Sequence, residues 1–499
     1  MNLTGLLDST PKHWMKEKVL NSFFFKNDSF LKDFGWYFLG SFLPLFIGFI
    51  KTPIFTRHFS KEEYGNLGLV SITFTFFGMF LFSWIGSCLW RYYSKYEINN
   101  KLKSLYSNLS FLYISAIILL LGLSLIWYLI AENHLIKQLV LYSFFQLFLN
   151  QLFLFYMIVV RLNGKVKFYT IFQSIRSAIG VVVALILVFV YDKDISALVS
   201  SLVIIDSFAL FFLFHANPAK IKVDFSLINK SNLKELMTYG SVGLILNISL
   251  LTIAYSDRYI ISWLGNIEEV GIYDQVYKIS QLSVASLVAI FFNTINPFLL
   301  KELETNFDKS LHLIRKYIQA FVLFGLPIVF YLSMFSKDIS RILLGKDFRV
   351  GYYIMPFIFF SAYLHGLSNF FELRLKFSNK LRRLSFIAVS VVIINISLNI
   401  VLIGLYGYQW AAFTTVFSYF IMVLLFYYFD KEVLSYTKSN FRTFFKIIMV
   451  FAVQLVFYFS IIKFIDLNSL VKIFIGVIFV VSYYFIFKKH LLKIKIPIN

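Results

Sequence analysis

Apolar residues in this chain come in long unbroken runs, and polar residues collect in short segments between them. From Phe34 onward, runs of about 20 residues recur, enough for a helix rising 1.5 Å per residue to cross a ~30 Å hydrocarbon layer. The runs are continuous, without the every-second-residue alternation of a membrane strand, so helices are predicted and a barrel is not. Hydropathy gives fourteen spans: 34–56, 67–90, 105–130, 138–160, 169–191, 196–214, 237–264, 272–300, 318–336, 351–371, 385–403, 408–429, 447–462 and 470–487. The last two follow a polar break at Asp430–Lys446 and read as an appended hairpin. The fold class is an all-α polytopic membrane protein.

Composition agrees with this pattern. Of 499 residues, 59% are hydrophobic and 15% charged, against about 25% charged in ordinary soluble domains. The single cysteine, Cys88, excludes a disulfide within the chain and a thiolate metal cluster. Residues 1–33 lack a free-standing apolar core followed by small residues, so the first span is expected to double as an uncleaved insertion signal. Within them, KHWMKEKVLNSFFF reads either as a helix lying among lipid headgroups or as a tether.

The net charge of +21 raises nucleic acid as a partner, and its distribution removes it. With both termini assigned to the cytoplasm, the N-terminus, the even-numbered connections and the C-terminus carry 33 of the 47 Lys and Arg residues. The odd-numbered connections carry 9, and 5 lie within spans. Such a bias is the positive-inside signature of cytoplasmic loops. Both termini are therefore expected on the cytoplasmic side of the membrane.

A repeat is hidden in the hydropathy. KTPIFTRHFSKEEYGNLGLV, from Lys51, aligns without a gap on DRYIISWLGNIEEVGIYDQV, from Asp257. Glu62-Glu63-Tyr64-Gly65 then falls on Glu268-Glu269-Val270-Gly271, just where two six-span halves would each begin. Six is even, so the halves share one orientation, related by a pseudo-two-fold axis along the membrane normal. The expected organisation is a segment 1–33, an N-lobe 34–214, a linker 215–236, a C-lobe 237–429 and a C-terminal helix pair with tail, 430–499.

These same residues carry a family resemblance. TPIFTRHFSKEEYGNLGLV resembles the first-span signature of Wzx-type polysaccharide flippases, and SDRYIISWLGNIEEVGIYDQVYKIS their seventh-span signature. IMPFIFFSAYLHGL and YGYQWAAFTTVFSYF resemble the tenth and twelfth spans. The resemblance covers nearly the whole chain. It implies membership of the multidrug/oligosaccharidyl-lipid/polysaccharide exporter superfamily, with two six-helix lobes around a cavity that opens alternately to either side. The implied cargo is an undecaprenyl-diphosphate-linked oligosaccharide, moved to the outer leaflet for O-antigen, capsule or a related polymer. Membrane lipids are implied as surroundings, and a polysaccharide polymerase and chain-length proteins as further partners. Export of peptidoglycan precursor or drugs is the alternative within the superfamily, and a membrane polymerase or glycosyltransferase the alternative outside it.

The charged residues at membrane depth are the candidate site. A lone charge at the bilayer centre costs about 2.5–3.5 kcal/mol on insertion scales, so each should face protein or water. Arg258, whose planar fork suits phosphate oxygens, is the first candidate cavity cation. Arg176, Lys51 and Lys278 are the others, although Lys51 and Lys278 are equally suited to snorkelling. Adjacent positions lie about 100° apart on a helix, so Asp257 and Arg258 are expected to point in different directions, one toward the cavity and one toward a neighbouring helix. Asp274 stands four residues before Lys278, at ion-pair spacing.

Asp206 has no obvious local partner. It is read either as a proton-coupling acid or as one satisfied by Ser201 and Ser207. Asn395 and Asn399 share a helix face and, with Asp257, offer oxygens for a Na⁺ site; interhelical hydrogen bonding is their other use. There is no HExxH, GxSxG or P-loop pattern, so no enzyme and no cofactor are expected. Energy is then expected from H⁺, Na⁺, the membrane potential or downstream polymerisation.

Overall fold

The computed structural model describes residues 47–305, 307–378, 380–434, 441–464 and 468–493. The expected headgroup-layer segment, most of the first span and the tail after 493 lie outside the described residues. Among the described residues, fourteen principal helices run in chain order: α1 (47–55), α2 (Lys61–Ile98), α3 (Leu102–Ile130), α4 (His134–Leu162), α5 (Val166–Phe189), α6 (Ala197–Ala216) and α7 (Lys230–Leu264). They continue with α8 (Ile267–Thr305), α9 (Phe307–Met334), α10 (Met355–Phe377), α11 (Leu381–Tyr406), α12 (Trp410–Phe429), α13 (Phe441–Phe464) and α14 (Ser469–Lys493). Within these, 12 helical stretches are long and apolar enough to cross a membrane, and α13 adds the shorter apolar stretch Phe445–Ser460. The all-α polytopic expectation holds.

Capping chemistry, more than hydropathy, sets where these helices start. Ser60 and Glu63 form a reciprocal capping box, so α2 begins at Lys61, well before the apolar run at 67. Asn229 caps α7 through the Ser231 amide, which starts that helix at Lys230 inside the expected linker. The linker remnant is pinned to α3. Lys103 pairs with Asp224 at 2.8 Å, the Asp224 amide donates to the Ser107 hydroxyl, and the Asn229 amide donates to the Asn108 side chain. Hydrogen bonds from Lys103 and Ser226 hold the Asp224 carboxyl down to about 2.

Two lobes result. In the first, α2, α3, α4, α5 and α6 pack on one another; in the second, α7 packs on α11 and α12, and α8 on α9 and α10. The pair α13–α14 leans on α9, where the Tyr331 hydroxyl bonds the Gln454 side chain. The lobes meet along α2. Its first half packs on α8 and its second half, Trp84–Ile98, on α7. Between the halves the helix loosens into a π-type segment, Met79–Ser83, a deformation that lets one helix change course.

Glycines bring the lobes together at the end that carries the α1–α2 and α7–α8 connections, here the upper end. A Cβ on Gly65 would overlap the Ile267 carbonyl, and one on Gly271 would overlap the Lys61 carbonyl. Small residues permit such backbone approach between membrane helices. Lys61 and Glu268 close an ion pair of 2.8 Å beside them. The lobes also touch at the lower end. There Gly240 of α7 lies against the Trp84 ring, the Cys88 thiol donates to the Leu236 carbonyl, and Lys95 pairs with Glu235.

Candidate functional site

Below the glycine contact, α7 and α8 carry a buried line of charges. Arg258 is fully buried, and its Nη1 donates to the Asp257 Oδ1 and to the Ala254 carbonyl, each at 2.6 Å. Asp257 accepts a second bond, 2.6 Å, from the Tyr273 hydroxyl through Oδ2. Across the helix pair, Asp274 Oδ1 stands 3.7 Å from Arg258 Nε, and Asp274 Oδ2 meets the Lys278 ammonium at 2.6 Å. The guanidinium lies 3.8 Å from the Tyr277 ring centre, with the Tyr273 and Tyr255 rings at 4.9 and 5.2 Å. Two acids and two bases thus form a neutral chain, the arrangement that lets charge survive at membrane depth.

This geometry corrects the expectation for Asp257 and Arg258. The two side chains bond each other, because the long arginine arm spans the angle between adjacent positions. Neither is exposed, so Arg258 braces α7 against α8 in this conformation and lines no open space. The cation at the open end of the chain is Lys278, whose side chain is 42% exposed while Asp274 is wholly buried. Lys51, on α1 of the opposite lobe, senses the Lys278 charge, lies 6.0 Å over the Phe55 ring and has no acidic partner among the described residues. Lys51 therefore brings one uncompensated positive charge toward the half-exposed end of the neutral chain.

The remaining candidates lie elsewhere. Arg176 of α5 pairs with Asp206 of α6 at 2.5 Å and stacks 4.3 Å over the Phe153 ring, all within the first lobe. Asp206 thus has a partner that its sequence neighbourhood does not reveal. Ser201 and Ser207, expected to satisfy it, donate instead to the carbonyls of Leu198 and Val203. Asn395 donates to the Ser418 hydroxyl, Asn399 to the Asn395 carbonyl oxygen, and the Thr414 hydroxyl to Asn399. These bonds tie α11 to α12, while the oxygens of Asp257 are engaged by Arg258 and Tyr273. The structure does not join Asp257 to the asparagines as one site.

Sequence reading missed several polar groups. The three tyrosines around Arg258 are one set, and Gln281, His365, Asn369 and Tyr419, which border a cavity in the second lobe, are another. Their signal is helical spacing: Tyr273, Tyr277 and Gln281 recur every fourth residue, as do His365 and Asn369.

Fold and buried charges together define a two-lobed, multi-pass membrane protein with a neutralised chain of charges at membrane depth. The model of the family described as "Polysaccharide biosynthesis protein" matches residues 30–302, and the chain belongs to that family. Among curated proteins it is 22% identical over 266 residues to the probable low-salt glycan biosynthesis flippase Agl15 of Haloferax volcanii, covering 52% of this chain and 55% of that one. The chain thus spans about half the length of that relative. Among solved structures, the lipid II flippase MurJ in an inward closed conformation superposes with a TM-score of 0.66 at 19% identity, covering 91% of this chain and 98% of its own. The Vibrio cholerae MATE transporter VcmN, in its bent form, gives 0.54 at 12% identity, covering 82% of this chain and 98% of its own. At these identities the likeness is one of fold. It agrees with the resemblance read from the motifs.

Proposed function

We propose that this protein is a flippase that carries an undecaprenyl-diphosphate-linked oligosaccharide from the inner to the outer leaflet of the cytoplasmic membrane, for O-antigen, capsule or a related polysaccharide. The observation that carries this reading is the uncompensated Lys51 of one lobe, set toward Lys278, the half-exposed cation at the end of the other lobe's neutral chain. An anionic headgroup recruited there is held by two ammonium groups while its lipid tail remains among acyl chains. Asp274 is the hinge of the arrangement, since it can exchange Lys278 for Arg258, which is already 3.7 Å away, when the headgroup draws the lysine off. Arg258 is then a positioning residue and not a cargo contact.

Alternating access follows from the seam. Opening upward requires α2 to leave α8 at Gly65 and Gly271, and opening downward requires α2 to leave α7 at Gly240. Charge bias supports cytoplasmic termini, which makes the upper end the outer one. Family membership and the name of the Haloferax relative support a glycan cargo. A lipid-linked peptidoglycan precursor is the second cargo to consider; one solved structure that shares this fold is that of a lipid II flippase. Transport of defined lipid-linked glycans by the purified chain in liposomes tests both, and failure with every diphosphate-linked glycan overturns the reading. Imposing an H⁺ gradient, a Na⁺ gradient or a membrane potential in the same vesicles identifies the driving force.

A further inference from the structure

The second lobe holds a cavity of about 230 Å³ between α8, α10 and α12, separate from the charged chain but sharing one wall with it. That wall is Tyr277, whose ring has Arg258 stacked on it at 3.8 Å. Gln281, His365 and Asn369 border the cavity together with Tyr419. Among the described residues, the amides of Gln281 and Asn369, the imidazole of His365 and the hydroxyls of Tyr277 and Tyr419 make no hydrogen bond to protein. Polar groups at membrane depth are costly when left unsatisfied, so five of them around one hollow are there for water or for a ligand.

We propose that this cavity is a subsite for one neutral sugar ring, the one joined directly to the phosphate of the cargo. The assignment rests on the reading of the protein as a carrier of phosphate-linked sugar lipids. Its chemistry is that of carbohydrate recognition: two amides, each both donor and acceptor, an imidazole and two phenols suit hydroxyl and acetamido groups. The Phe292 ring adds an apolar face. Among the described residues no carboxylate borders the cavity, and its only titratable base is His365, so neither a cationic drug nor a second phosphate matches it. The volume lies below the roughly 300–1,000 Å³ of drug-sized pockets, which suits one ring and not an oligosaccharide. Position agrees as well. Gln281 follows Lys278 by three residues on α8, and side chains at that spacing are neighbours on the helix surface. A phosphate at Lys278 therefore delivers the ring bonded to it to Gln281.

The test is binding to the full chain in nanodiscs of two probes: a short polyprenyl diphosphate, and the same lipid bearing one N-acetylhexosamine. The unaltered protein should bind the glycosylated probe about tenfold more tightly, the preference expected from one or two additional neutral hydrogen bonds. Gln281→Leu with Asn369→Leu should abolish that preference and leave affinity for the bare diphosphate unchanged. Ala362→Leu, which adds bulk to the wall of the hollow and leaves Gln281 and Asn369 in place, should do the same in a protein whose melting temperature is retained. Equal affinity of the unaltered protein for both probes, or a preference that survives both the double leucine variant and the filled cavity, overturns the subsite while leaving the carrier reading intact. Failure of both probes to bind overturns the carrier reading, and the subsite with it.

Discussion

Gly65 and Gly271 stand 206 residues apart in the sequence and touch each other's helix in the fold. Lys61 and Ile267, whose carbonyls they approach, are separated by the same 206 residues. The contact is therefore its own image under the relation between the lobes. Gly68 keeps the same offset from Asp274, and a Cβ there would come within 3.3 Å of the Asp274 carboxylate. Closure of the upper end and the state of the charged chain are read by one pair of helices.

Adding a methyl group at this contact should force the upper end apart. For Gly271→Ala the added carbon meets backbone, which cannot rotate away as a side chain can. Spin labels at Glu62→Cys and Trp263→Cys should report a longer and broader distance distribution in the Gly271→Ala background. Cys88 is buried and need not be removed for labelling. An unchanged distribution would show that the glycines do not govern closure.

Truncating Arg258 should damage the protein before it damages transport. Removing one partner of a fully buried ion pair leaves the other charge uncompensated, at a cost of about 3–5 kcal/mol. Arg258→Met should therefore lower abundance and melting temperature, whereas Asp257→Leu with Arg258→Met should recover part of both, because the pair leaves together. Normal abundance of Arg258→Met with lost transport would instead return Arg258 to the cargo path.

The Arg176–Asp206 pair gives a contrasting case. Because Asp206 is held by Arg176, Asp206→Asn should lower thermal stability while leaving the dependence of transport on an imposed pH gradient as it was. Loss of that dependence would make Asp206 the proton carrier.

How much of this could be read in advance differs between residues. The all-helical span pattern, the repeat offset and the Asp274–Lys278 pair are legible, because apolar runs, a fixed offset and i,i+4 spacing are local properties of the chain. Of the fourteen spans expected, 12 are span-length helices among the described residues. Helix ends are less so. The start of α2 is decided by Ser60 and Glu63, which a hydropathy window averages away. The partner of Asp206 is 30 residues distant on another helix, and no single-span pattern announces it. Gln281, His365 and Asn369 carry no charge signal inside apolar runs, and only the fold shows that they face one hollow.

The two lysines bear the central claim, and translocation in liposomes tests it most directly. Each charge-assisted hydrogen bond to phosphate contributes about 1.5–3 kcal/mol, so Lys51→Gln with Lys278→Gln should cut uptake of a diphosphate-linked glycan by about two orders of magnitude or more. Arginine at both positions should preserve most of the rate; because Lys278→Gln leaves the buried Asp274 without its close partner, rates are compared per folded protein. Undiminished translocation by the double glutamine variant would contradict the account.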